Sequence, residues 1–155
     1  MFDPLEEVKC RRELAIRYLN EAKEFSQLNN WRATVASAQL SVENTAKAII
    51  AIYKVPSWSH DPSDDLRDLV DGFPQELREY VRELVQISST LAPEHDRTTY
   101  GEPSRGILPW DLYTKEDAER SIKLAERAVS IMECVLKWLR VFNKNVPRSS
   151  NRTCQ

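Results

Sequence analysis

Glycine is scarce in this 155-residue chain, with only three. Three glycines do not build the loop that cradles nucleotide phosphates through successive backbone N–H groups, and no such motif occurs. Histidine is scarcer still. His60 and His95 lie 35 positions apart in different inter-helical stretches, a poor start for a metal centre, whose ligands must cluster. No metal or other cofactor is therefore expected. The three cysteines, Cys10, Cys134 and Cys154, show no C-x-x-C spacing, and reduced thiols are the expectation. The G-x-S-x-G nucleophile signature is absent. No apolar run approaches the ~20 residues that span a bilayer, and the opening "MFDPLEEVKC" lacks the apolar stretch of a signal peptide. A cytoplasmic protein without membrane attachment is expected. Charge is nearly balanced, 22 basic against 24 acidic residues, which speaks against bulk attraction to nucleic acid but leaves room for a local basic patch.

What the chain does have is helical pattern. It is 41% hydrophobic and 30% charged, a composition that leans all-α when glycine is rare. In "DPLEE", Asp3 is placed to cap, Pro4 fits the first helical position and Glu6 stands where a capping box needs it. Val8, Ala15, Tyr18, Leu19, Ala22 and Phe25 then recur at helical spacing to about Leu28. Asn30 caps a second helix running to about Lys54, with an apolar face of Val35, Ala38, Val42, Ala46, Ile49, Ile50 and Tyr53. A short helix follows, with Asp61 as cap and Pro62 at its first position. A long one carries Leu77, Tyr80, Val81, Leu84, Ile87 and Leu91. The last starts at Thr114, answered by Asp117, and carries a seam of Ala118, Ile122, Ala125, Val129, Met132, Leu136 and Leu139. Glu116–Arg120 and Glu119–Lys123 are spaced for surface ion pairs. No strand-like alternation appears. The expected fold is all-α, an antiparallel up-and-down bundle of four long helices plus one short helix over residues 1–142, with a disordered basic tail at 143–155.

One stretch breaks the pattern. "LAPEHDRTTYGEPSRGILPW", residues 91–110, reads as a loop of about twenty residues, far longer than the ~2–8 that join bundle helices. It gathers His95, Arg97 and Tyr100, which offer a proton carrier, a phosphate grip and a base-stacking ring. On the second helix, Glu43 and Lys47 share one face at a four-residue spacing. These five residues are the candidate ligand-binding site: Glu43 orienting Arg97 by an ion pair, Lys47 and Arg97 facing a phosphate, His95 donating or carrying a proton, and Tyr100 stacking. Trp110 and Leu112 are candidates to plug the end of the bundle.

Two segments carry a resemblance. "ATVASAQLSVENTAKAIIAIY", a small-residue-rich helix with a glutamate and a lysine four apart, resembles the second helix of HEPN domains. "APEHDRTTYGEP" and "YTKEDAERSIKLAERAVSIMECVLKWL" resemble the arginine–tyrosine loop and final helix of the small stand-alone archaeal and bacterial members, and the likeness covers roughly residues 5–142. The resemblance implies a helical bundle, a homodimer with a shared cleft, and nucleotide or RNA binding beside a partner such as a minimal nucleotidyltransferase. Many members are metal-independent RNase toxins of toxin–antitoxin pairs, using an arginine separated by four to six intervening residues from a following histidine. This chain departs from that motif, since Ser88, Ser89 and Thr90 occupy the arginine positions before His95. The expectation is a nucleotide- or RNA-binding module without the nuclease motif. The alternatives are an RNase toxin using His95 and Arg97 in another order, and a structural bundle that oligomerises through the last helix's seam.

Overall fold

A computed structural model describes residues 1–143 and 154 of the chain. It is all-α, with four long helices: α1 (Pro4–Gln27), α2 (Trp31–Ala51), α4 (Gln75–Leu91) and α6 (Lys115–Trp138). Two short helices, α3 (Ser63–Leu69) and α5 (Glu94–Tyr100), sit in the connections, where the sequence pattern predicts one. The expected tail lies outside the described residues except for Asn143 and Cys154.

The helix starts follow from local chemistry. Asp3 accepts from the Leu5 and Glu6 backbone N–H groups and Pro4 opens α1, but Glu6 turns forward to Lys9 at 2.8 Å instead of closing a box. Between α1 and α2 the chain reverses within three residues. Asn29 takes the left-handed conformation there (φ 56°), which asparagine tolerates. Asn30 then caps α2 by accepting from the Ala33 N–H at 3.2 Å. Asp61 serves α3 by accepting from the Ser63 N–H and hydroxyl. Thr114 and Asp117 close a reciprocal box at the start of α6. Nearby, Arg120 pairs with Asp117 and Lys115 with Glu119, not the partners read from the sequence.

α2 is the central helix, packed against α1, α6, α5, α4 and α3. Seventeen of its 21 residues are buried. Its alanines allow close approach of neighbours, and Ser41 donates across to the Ala15 carbonyl of α1 at 2.7 Å. Because α2 is enclosed, its polar side chains Gln39, Glu43, Asn44 and Lys47 are buried as well, and buried polar groups require partners. That requirement builds the site.

In α6 the buried face is wider than the seam read from the sequence. Ala118, Ala125, Met132 and Leu136 are buried as expected, together with Ser121, Ala128, Ile131 and Val135, while Ile122, Val129 and Leu139 are only partly covered. The seam is therefore occupied by this chain's own core. The expectation of three reduced thiols is corrected at two positions: Cys134 and Cys154 form a disulfide, with Cα atoms 5.6 Å apart, and Cys10 is free and exposed. Sequence spacing does not report such proximity, because the two cysteines lie 20 positions apart. Among the described residues no helix is long and apolar enough to cross a membrane.

Candidate functional site

The expected twenty-residue loop is largely structured. Pro93 opens α5, which Gly101 ends, and 3-10 turns at Pro103–Arg105 and Pro109–Asp111 follow. The sequence hides α5 because its seven residues bury only Thr98 and so show no apolar stripe. Arg32 at the start of α2 ties α5 down by donating to the Thr98 carbonyl at 3.1 Å, while its guanidinium lies 5.5 Å from the centre of the Trp110 ring. Trp110 is thus exposed and stacked on a cation, not a plug of the bundle's end.

Glu43 anchors the first cluster. Lys47 Nζ donates to its Oε1 at 2.8 Å and Gln39 Nε2 to its Oε2 at 3.0 Å. The ion pair is dry, with side-chain exposures of 4% for Lys47 and 6% for Glu43. Burial pushes the Glu43 carboxyl toward its neutral form, but the bonds from Lys47 and Gln39, with the charges of Lys47 and His60, outweigh it and leave the carboxyl below its ordinary range. His60, from the connection between α2 and α3, places Nδ1 at 3.3 and 3.4 Å from the two Glu43 oxygens. His95 of α5 places Nδ1 at 3.2 Å from Gln39 Oε1.

The two imidazoles meet. Their centroids are 3.5 Å apart and their planes 14° from parallel. An ionised carboxylate and an amide oxygen only accept, so each Nδ1 carries the donated hydrogen. In the neutral rings, each Nε2 then keeps its lone pair. The pair is open to solvent on one side, where the His60 side chain is 56% exposed.

The structure brings together Glu43, Lys47 and His95 of the five expected residues, and adds Gln39 and His60. Two side chains go elsewhere. Arg97 does not reach Glu43; it donates to Glu94 and Glu102, each at 2.8 Å. Arg105 closes on Glu102 at 2.6 Å, and the Tyr113 hydroxyl donates to Glu94 at 2.5 Å. The Arg97 guanidinium is held charged foremost by its bond to Glu102. The Tyr113 hydroxyl is driven well above its ordinary range by burial and by Glu94. Tyr100, at the end of α5, is 68% exposed.

The reason Arg97 misses Glu43 is local. Glutamates three residues before it and five after it take up its guanidinium. Gln39 and His60 are the residues the sequence does not single out, His60 because it lies 35 positions from His95 along the chain. The available signal was that each histidine lies in a connection and α2 offers two buried polar positions four apart.

The profile of the HEPN domain matches residues 8–136. A protein of Methanocaldococcus jannaschii named "Putative toxin MJ1304" is 28% identical over 123 residues, covering 77% of this chain and 81% of its own. The crystal structure of TT1696 from Thermus thermophilus superposes with a TM-score of 0.66 at 23% identity, covering 83% of this chain and 98% of that one. That likeness concerns the fold alone.

Proposed function

Since this chain belongs to the HEPN domain family, whose profile spans most of it, we propose that it is a toxin-like RNA- or nucleotide-binding module whose site centres on His60 and His95. The observation that carries the reading is the stacked imidazole pair, held from behind by Gln39 and Glu43. Neutral rings offer acceptors to ribose hydroxyls, and protonated rings offer donors to phosphate oxygens. Exposed aromatic side chains suit base stacking: Tyr100 at the end of α5, and Trp58 two positions before His60 and 93% exposed. The resemblance to a protein named as a toxin supports a controlling partner, with a nucleotidyltransferase-like protein as our candidate, and membership of the HEPN family supports a homodimer that sets two such sites across one cleft.

A second reading, metal-independent RNA cleavage, is favoured by the same pair. Adjacent histidines can divide the roles of base and acid in attack by a ribose 2′-hydroxyl on its own phosphodiester. Against efficient cleavage, Lys47 and Arg97 are already engaged by carboxylates and poorly placed to offset developing phosphorane charge.

The test is fluorescence anisotropy with labelled single-stranded RNA in EDTA. His60→Ala and His95→Ala should each weaken binding about tenfold, the loss of one contact worth ~1.4 kcal/mol. Wild-type affinity and salt slope in both variants would sink the reading. The same RNA on a denaturing gel separates the two versions: cleavage lost in both variants supports the enzyme, and bound but intact RNA supports the module.

A further inference from the structure

Glu43, His60 and His95 each bring one ligand-type atom within 4.8 Å of the others, from three different elements: α2, the connection after it, and α5. We propose that these three side chains form a binding site for one late first-row divalent cation of the zinc class, and that the ion competes with RNA for the histidines. Two imidazoles and one carboxylate make up the open three-ligand set of such sites, with the fourth position left to water. Imidazole nitrogens select zinc, nickel or copper over magnesium or calcium, which prefer oxygen.

One edge of the coordination tetrahedron is already in place. Metal–ligand bonds of about 2.0–2.1 Å put neighbouring tetrahedral ligands ~3.3 Å apart, and His60 Nδ1 stands 3.3 and 3.4 Å from the Glu43 oxygens. On loading, the hydrogen of Nδ1 moves to Nε2, so the imidazole remains neutral. The third ligand requires movement. Rings 14° from parallel do not aim their in-plane lone pairs at one point. His60 is the side chain able to turn, being over half exposed and outside any helix. Binding therefore breaks the stack. Lys47 opposes the ion by holding Glu43 Oε1, so affinity should be well below that of a structural zinc site. Bound metal would fasten α5 and the His60 connection to α2, and by moving the His60 hydrogen onto Nε2 it would remove the acceptor that the RNA reading needs there.

The test uses the full chain, stripped with EDTA and dialysed, titrated with Co²⁺ by visible absorption and with Zn²⁺ by calorimetry. The expected result is one ion per chain, the visible bands of low-coordinate cobalt, and loss of the stacked histidine ring-proton shifts on Zn²⁺ addition. His60→Ala and His95→Ala should each bind more than ~10-fold more weakly, and Cys10→Ser should bind as wild type. Absence of saturable binding, or wild-type binding in both histidine variants, would overturn the site. His60→Ala removes an exposed side chain, so its result does not hinge on folding. RNA binding is read separately, in EDTA. Cobalt bound without RNA binding supports the metal site and removes the competition, while RNA bound without cobalt overturns the metal site and leaves the RNA reading standing.

Discussion

Two polar clusters lie on either side of α5, and residues of the same kinds come to different ends in them. At the end of α5, Arg97 and Arg105 meet Glu94 and Glu102, and Tyr113 fills a remaining position on Glu94. Charges cancel within the cluster, and its bonds close on its own members. On α2, Glu43 accepts from Lys47, Gln39 and His60, while His95 leans on Gln39. This cluster is satisfied from behind and open in front, where two ring nitrogens keep their lone pairs. The first cluster behaves as a clasp for the connection between α5 and α6. On the proposed reading, only the second has chemistry to do.

The largest test breaks the second cluster at its root. Glu43→Gln leaves the Lys47 ammonium buried without a counter-charge and should cost about 3–5 kcal/mol in urea unfolding. Glu43→Gln combined with Lys47→Met should recover most of that loss, because no orphaned charge remains. The pH dependence gives an independent check. The folded Glu43 carboxyl lies below its ordinary value, so its contribution is present above the ordinary carboxylate range and is lost as pH falls through the folded value. The gap between wild type and Glu43→Gln should therefore hold at neutral pH and shrink below about pH 4. A gap independent of pH would mean that Glu43 acts through packing and not through charge.

The next effect strikes the clasp. Gly101 sits at φ 72°, and a Cβ there would strike the Ile107 carbonyl oxygen, which accepts from the Glu102 N–H at 2.9 Å in the small bridge. Gly101→Ala should cost about 1–3 kcal/mol and loosen this turn, read as faster amide exchange over residues 101–108. Tyr113→Phe comes after it. Losing the bond to Glu94 inside a half-buried network should cost about 1–2 kcal/mol by urea melt while leaving RNA affinity unchanged. A drop in RNA affinity for Tyr113→Phe would show that the clusters are coupled.

The same contrast explains what could be read in advance. Caps and stripes are local, so Asp3, Asn30, Thr114 and the four long helices were legible, as was the Glu43–Lys47 pair, fixed by helix geometry alone. α5 was not, since one buried residue makes no periodicity. His60 against His95 depends on the path of a connection, and Cys134 with Cys154 on the placement of a residue 20 positions away. Arg97 pairs with Glu94 and Glu102 and not with Glu43, which sequence does not reveal, because it shows which groups share a helix face and not which non-local partner loses to a local one.

The smallest expected effect is the sharpest on the comparison. Arg97 looks like a phosphate ligand from its position beside His95 and Tyr100, yet two carboxylates hold it. An arginine so paired presents little net field to a polyanion, and freeing it means breaking two charge-assisted bonds. Arg97→Ala should therefore change RNA affinity by less than about threefold, under ~0.7 kcal/mol, and leave the salt slope unaltered. A loss as large as that of His60→Ala, with a shallower salt slope, would mean that the clasp opens on RNA and hands its arginine to the phosphate. The two clusters would then be a single site, assembled only when the ligand arrives.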